Sequence, residues 1–276
     1  MSTQRPTTTP KKSPPFRWLA ILIGVGFVTT LYVTTPGGVL DKADMIGYAV
    51  CHRITARSFI IAGRQLPLCA RCTGTFIGAL VGLFGQAVVL RRWRAAEFPP
   101  LRALIFLIGF MALWAADGLN SYMTLIGGPH LYEPHNWLRL TTGALQGLTM
   151  SALLYPIFNF TLWKHPVLEP AIDGWRDLGI LVILEIGLVV LVLTRWSFLL
   201  YPLALLGVAG VLVLLTAVNT MLVLMLVRRD NTADTWGDAL GPLLIGLTVS
   251  LMLIAAIDVL RYTLTGTWTG IPPVGG

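Results

Sequence analysis

The chain has 276 residues, 55% of them hydrophobic and 12% charged, with a formal net charge of +7. A soluble domain carries about 25% charged residues, so the composition excludes an ordinary soluble enzyme, and the basic balance is no sign of nucleic-acid binding. The apolar residues fall in long unbroken runs with basic residues at their ends, the pattern of a polytopic membrane protein whose cations set topology and meet anionic lipid headgroups.

Residues 1–16 are polar and rich in Thr and Pro, and a disordered cytoplasmic tail is expected there. The run that follows is long for a signal-peptide core and lacks a small-x-small cleavage site, so a retained first span over 17–35 is expected. Residues 36–72 form the next polar segment. Met45, Ile46, Ala49 and Val50 have helical spacing within 41–53, suited to a helix along the membrane surface. Ser58 to Leu68 reads as two short extended pieces around Ala62-Gly63. Pro67 precedes Cys69, and a span starts at once, which places Cys69 and Cys72 one turn apart at a helix N-terminus.

Further spans are expected over 73–90, 101–123, 139–162, 178–195, 198–227 and 239–262, each near the roughly 20 residues a bilayer requires. In the second span Gly74, Gly78, Gly82 and Gly85 recur about every four residues, the mark of close helix packing. Arg195-Trp196-Ser197 alone joins the fifth and sixth spans, and the sixth is long enough to tilt or protrude. The fold expected is therefore all-α: a bundle of about seven spans over 17–262, with one structured loop at 36–72 and a tail at 263–276. With the N-terminus cytoplasmic, twelve Lys and Arg fall inside, among them Arg91, Arg92 and Arg94, and eight outside. The 36–72 loop and the C-terminal tail are then on the outer face of the cell membrane.

All three cysteines lie within twenty-two residues, and His52 adjoins the first. Cys51, His52, Cys69 and Cys72 match the ligand set of zinc or another soft divalent metal. Adjacent side chains tend to diverge, so His52 also suits a supporting role or a base. A disulfide or redox pair at Cys69 and Cys72, or a bridge from Cys51 to one of them, and plain packing of small residues, are the competing expectations. Arg53, Arg57, Arg64 and Arg71 put four guanidinium groups on the same loop. Such groups recognise phosphate or carboxylate in a bidentate way, as in an anionic lipid or a phosphorylated small molecule, or they simply anchor the loop at the interface.

A second polar set is expected on the same side. Asp117 and Asn120 are one turn apart near the end of the third span; Asn136, Arg139 and Thr142 share a face at the start of the fourth. Asp117 is expected to pair with Arg139 or with a loop arginine. His130 and His135 between them carry no fixed spacing. Deeper in the spans lie Gln86, Glu185, Asn219 and Asp258. Glu185 must be protonated or paired, since an ionised carboxylate at mid-bilayer costs at least about 2.5–3.5 kcal/mol. Asp258 and Arg261, one turn apart, are positioned to pair.

The pattern Cys51-His52-Arg53, Arg57-Ser58-Phe59, Gly63-Arg64-Gln65-Leu66-Pro67, Cys69-Ala70-Arg71-Cys72-Thr73-Gly74 resembles the signature of a prokaryotic membrane-protein family, domain of unknown function 2085. Asp117-Gly118, Asn136, Arg139 and Thr142-Gly143 extend the likeness, which covers about residues 45 to 150. The resemblance implies an integral membrane protein and no particular activity. The function expected from the residues is a metal-organised outer site with Arg53, Arg57, Arg71, Asp117, Asn120, Asn136 and Arg139 around an anionic ligand, enzymatic or not. A membrane thiol–disulfide protein using Cys69 and Cys72, and a metal or ion transporter with a path through Glu185 and Asn219, are the alternatives.

Overall fold

The computed structural model describes residues 37–268 and a few helical residues between Leu22 and Val33. The tail expected at 1–16, most of the first span over 17–35, and residues 269–276 lie outside the described residues.

Helix α1, Val39–Val50, opens where the Asp41 carboxylate accepts the Gly38 N–H at 2.7 Å, and it ends as Cys51 turns extended. A hairpin follows: β1, Ser58–Ile61, pairs antiparallel with β2, Arg64–Cys69, in the register Ser58↔Cys69 and Ile61↔Arg64. Its two-residue turn is Ala62-Gly63, both with positive φ (49° and 76°), the twist a tight hairpin needs. Strand β2 runs directly into α2, Ala70–Phe84, which continues through a π turn at Gly85–Val89. Cys69 is the residue before the first helical turn, and Cys72 lies within that turn, as their spacing implies.

The remaining elements are β3 (Ala95–Glu97), α3 (Leu101–Leu125), α4 (Asn136–Leu162), β4 (Val167–Pro170), α5 (Trp175–Thr194), α6 (Leu200–Leu226) and α7 (Trp236–Thr265). Pro100 starts α3, Arg195 in the left-handed conformation ends α5, and Thr235 and Asp238 close a reciprocal capping box at the start of α7. The fold is all-α, with two small two-stranded sheets as its only strands among the described residues. Each of the six later spans expected from hydropathy is a helix. Five stretches are long and apolar enough to cross a membrane: Ala70–Val89, Leu101–Leu125, Trp175–Thr194, Ser197–Leu226 and Trp236–Thr265. Helix α4 is long enough but less apolar. It is the most enclosed helix, burying Gln146, Thr149, Ser151 and Asn159 against its neighbours, so less of its circumference faces lipid.

Helices α2 and α4 cross on glycine. A Cβ on Gly74 would sit 2.3 Å from Leu140 O, one on Gly143 2.3 Å from Arg71 O, and one on Gly147 2.3 Å from Thr75 O. Gly78 leaves room for Ala144 and for Glu185 of α5, and Gly85 for Leu181 of α5. The glycine spacing in α2 thus serves two neighbouring helices.

The bundle has two faces. One gathers the α1–hairpin segment, the α3–α4 loop, the α5–α6 turn and residues 266–268, shown by Arg57 on Ser121, Arg195 over the Phe59 ring, and Tyr48 donating to Thr267 O at 2.7 Å. We call this the cysteine face. Residues 266–268 of the expected tail fold back here, with Trp268 stacked on Tyr262. The opposite face is knitted by the parallel β3–β4 pair and by Arg92 bonded to Glu169 at 3.1 Å.

Within the bundle, Glu185 is 1% exposed, and neither carboxylate oxygen has a hydrogen-bond partner among the described residues. Asn219 donates to Ser250 Oγ at 2.9 Å and not to Glu185. Arg261 does not turn to Asp258; it donates to the Tyr48 and Cys51 carbonyls and lies over the Tyr48 ring.

Valine at Gly147 must push α2 from α4, so Gly147→Val is expected to lower stability by at least about 1–3 kcal/mol, the usual cost of overpacking. Gly109→Ala on α3, where nothing among the described residues lies within 4 Å of the new methyl, is expected to be neutral or to stabilise by up to about 1 kcal/mol. Thermal unfolding of the two purified variants, side by side in one detergent, checks this.

Candidate functional site: a cysteine triad beside an arginine cluster

The hairpin builds the site by folding Cys51 back onto the start of α2. The Sγ atoms of Cys51, Cys69 and Cys72 all lie within 4.8 Å of one another. All three are free thiols; Cys51 and Cys69 are buried and Cys72 half-buried. Cys51 Sγ accepts the Cys69 N–H at 3.2 Å, and Arg261 holds the Cys51 carbonyl at 2.8 Å. The Cys69 and Cys72 thiols turn toward Cys51 and hold its thiol well below the ordinary range; Cys69, as the donor to Cys51, is pushed up. One sulfur is therefore an acceptor ringed by donors, an arrangement that deprotonation or a soft cation would complete.

His52 does not join the triad. Its Nδ1 accepts the Ile54 N–H at 3.0 Å. Burial, with the charges of Arg57, Arg71 and Arg139, keeps its imidazole below the ordinary histidine range. His52 thus lies neutral within the field of the arginines.

Three arginines from three elements meet at Ser121 of α3. Arg57 Nη2 donates to the Ser121 carbonyl at 2.8 Å, Arg71 Nη2 to Ser121 Oγ at 3.0 Å, and Arg139 Nε to the same Oγ at 3.3 Å. Arg71 is also ion-paired with Asp117, which is 2% exposed. Asp117 therefore takes the arginine of α2 rather than Arg139. Its other oxygen accepts the Tyr132 hydroxyl at 2.9 Å; burial, and then this bond to the carboxylate, push that phenol up to about 12. Thr142 completes the carboxylate at 3.4 Å. Asn136 accepts Arg139 Nη1 at 2.8 Å and donates to Ala56 O at 3.2 Å, tying α4 to the hairpin segment.

Two expected site residues point elsewhere. Arg53, in the left-handed conformation, pairs with Asp44 of α1 at 2.8 Å; Arg64 joins the same carboxylate and Asp41. Asn120 accepts the Leu131 N–H at 2.7 Å and donates to Tyr132 O at 2.8 Å, so it holds the α3–α4 loop rather than facing the cluster. His130 in that loop pairs with Glu133 at 3.1 Å. Ser121 and Tyr132 were not anticipated. Ser121 had one readable signal, its position four residues after Asp117 on the same helix face.

The charge count is unbalanced. Arg57, Arg71 and Arg139 are three cations, and Asp117 is their one carboxylate partner, leaving an excess of two positive charges (3 − 1 = 2) among the described contacts. Arg71 Nε is buried with no acceptor among the described residues. Burial and the charge of Arg71 already pull Arg57 below the ordinary guanidinium range. The sulfur triad adjoins this cluster through Arg71, which lies between Cys69 and Cys72 in the first turn of α2.

A helical bundle with a polar site at the ends of its apolar helices defines a multi-pass membrane protein. The chain belongs to the family described as a predicted membrane protein, domain of unknown function 2085, whose model matches residues 51–153. That stretch runs from Cys51 through the hairpin, α2, α3 and most of α4, and takes in every residue of the triad and the cluster. An uncharacterised protein of Methanocaldococcus jannaschii is 34% identical over 115 residues, 42% of this chain and 67% of that protein. An uncharacterised protein of Methanothermobacter thermautotrophicus is 29% identical over 104 residues, 38% of this chain and 83% of that protein. No solved structure matches.

Removing Asp117 strips the cluster of its one carboxylate. Asp117→Ala is expected to destabilise the protein by about 3–5 kcal/mol, the cost of leaving a buried charge unpaired. Tyr132→Phe removes one hydrogen bond to that carboxylate and is expected to cost about 1.5–3 kcal/mol. Denaturation midpoints of the two variants check both the order and the size.

Proposed function

We propose that the cysteine face carries a binding site for an anionic, phosphate-bearing ligand, lipid-linked or small, organised by a soft divalent metal such as zinc. The observation that carries this is the excess positive charge at Ser121. Three guanidinium groups packed together repel one another, and one carboxylate does not balance them; a dianionic group would. Arg57, Arg71 and Arg139 are the ligand-binding residues, with Asn136 and Tyr132 holding the geometry.

Cys51, Cys69 and Cys72 would hold the metal. Three sulfurs gathered within 4.8 Å suit a tetrahedral ion with three protein ligands and one open position. His52, engaged through Nδ1, acts beside the triad as a neutral donor or base. Bound metal would fix the hairpin against α2 and so fix Arg57 and Arg71 relative to each other. The rival with support of its own is a thiol–disulfide centre, favoured by the depressed Cys51 thiol beside two further sulfurs.

Lys and Arg counting supports a cytoplasmic N-terminus and an outward cysteine face, because the Arg91, Arg92 and Arg94 turn lies on the opposite face. In intact cells a membrane-impermeant thiol reagent is then expected to label Cys72, the half-buried cysteine, once metal is chelated. Labelling confined to inverted vesicles would reverse the orientation.

The ligand test uses lysine. Arg71→Lys and Arg139→Lys are each expected to weaken binding of short-chain phosphatidic acid or inorganic phosphate at least about tenfold, since a charged hydrogen bond is worth about 1.5–3 kcal/mol and an ammonium does not reproduce the fork. Arg53→Lys, whose partner is Asp44, is expected to bind like the parent. Titration calorimetry on the three variants measures this, and equal affinities throughout would remove the anion site.

A further inference from the structure

Toward the opposite face the bundle contains a cavity of about 630 Å³ between α2, α4, α6 and α7. This volume is within the range of sites that take small molecules. Its wall is almost entirely apolar. Phe84, Val88 and Val213 line it and are themselves 57%, 50% and 41% exposed, so among the described residues the cavity opens sideways through the outer surface of the helices, where hydrocarbon lies. Trp163, only 1% exposed, lines its far wall.

The cation of this cavity is Arg94. Its guanidinium carbon is 3.8 Å from the centroid of the Trp163 ring, and one nitrogen donates to the Asp234 carbonyl at 3.2 Å. No carboxylate pairs with Arg94 among the described residues. Arg94 also has a φ of 64°, a left-handed conformation a non-glycine residue adopts at some cost. Trp236, packed edge-on against Trp163 at 4.8 Å, lies at the same level.

We propose that this cavity is a lipid site, holding one acyl chain of an anionic phospholipid with its phosphate on Arg94. A lateral opening admits a molecule already in the bilayer. An apolar wall fits a hydrocarbon chain. A cation with free donors at the headgroup end selects negative charge, and tryptophan rings at that level are the usual neighbours of lipid headgroups. A neutral lipid would fill the cavity but leave the Arg94 charge uncompensated.

The full-length protein, exchanged into detergent with equal amounts of phosphatidylglycerol and phosphatidylcholine, tests this by native mass spectrometry. One phosphatidylglycerol is expected to be retained in preference to phosphatidylcholine. Arg94→Gln is expected to reduce that preference about tenfold, as loss of a charged hydrogen bond implies. Ala217→Trp, which fills the cavity, is expected to abolish retention of both lipids; Arg176→Gln, on the same face but outside the cavity, is expected to change nothing. A second readout needs no altered cavity. Phosphatidylglycerol with brominated chains is expected to quench tryptophan fluorescence saturably, and Trp163→Phe to shrink the saturable part to what Trp93 and Trp236, which also line the cavity, contribute. Retention without headgroup preference, retention unchanged in Ala217→Trp, or a cavity already filled by residues 17–35 and retaining no lipid would each overturn the proposal.

Discussion

The crossing of α2 and α4 on bare backbone is the constraint on which the site depends. Between membrane helices there is little hydrophobic drive to associate, so close packing of small residues must supply the contact. Gly74, Gly143 and Gly147 supply it here, with neighbouring main-chain atoms where side chains would otherwise stand. The uppermost of these contacts, Gly143 on the Arg71 carbonyl, is at the site itself. It sets the first turn of α2, with Arg71 and Cys72, directly against the first two turns of α4, with Arg139 and Thr142. A wider crossing would separate the arginines and dissolve their common focus on Ser121.

On that frame the polar network forms by necessity. Arg71 is driven toward the water-poor interior by the start of its helix, and Asp117 of α3 is the carboxylate within reach. Once paired, the two fix α3 against α2, and Tyr132 brings the α3–α4 loop down onto the same carboxylate. Arg57 and Arg139 then arrive with no carboxylate left to pair with. Their hydrogen bonds go to the hydroxyl and main-chain carbonyl of Ser121 and to Asn136, which satisfy geometry but not charge. Buried cations held this way are costly unless a ligand shares the expense. The sulfur triad is built by the same short hairpin, so anything that clamps the three sulfurs also fixes Arg57 against Arg71.

Much of this was legible in the sequence. The apolar runs gave the six later helices, Pro67 followed by an apolar run put Cys69 at a helix start, and Ala62-Gly63 gave the hairpin turn. The glycine spacing of α2 revealed a packing face, although not that α4 and α5 share it. What could not be read depended on side-chain direction and on contacts distant in sequence. Arg53 shares its loop with Arg57, but its left-handed backbone sends it to Asp44. Asn120 shares a face with Asp117, yet main-chain groups of the following loop capture its amide. Ser121 contributes a carbonyl and a hydroxyl, which no motif advertises. The β3–β4 pair is three and four residues long, too short for any alternation to appear.

The central claim is that the three cysteines act together as a metal-binding triad that positions the arginines. Metal content and reactive thiols, counted on the same sample of purified protein before and after chelation, test it most directly. The account predicts about one soft divalent ion per chain, with the thiols protected until the ion is removed. A metal-free protein whose cysteines interconvert reversibly between thiol and disulfide would contradict it and establish the redox centre instead.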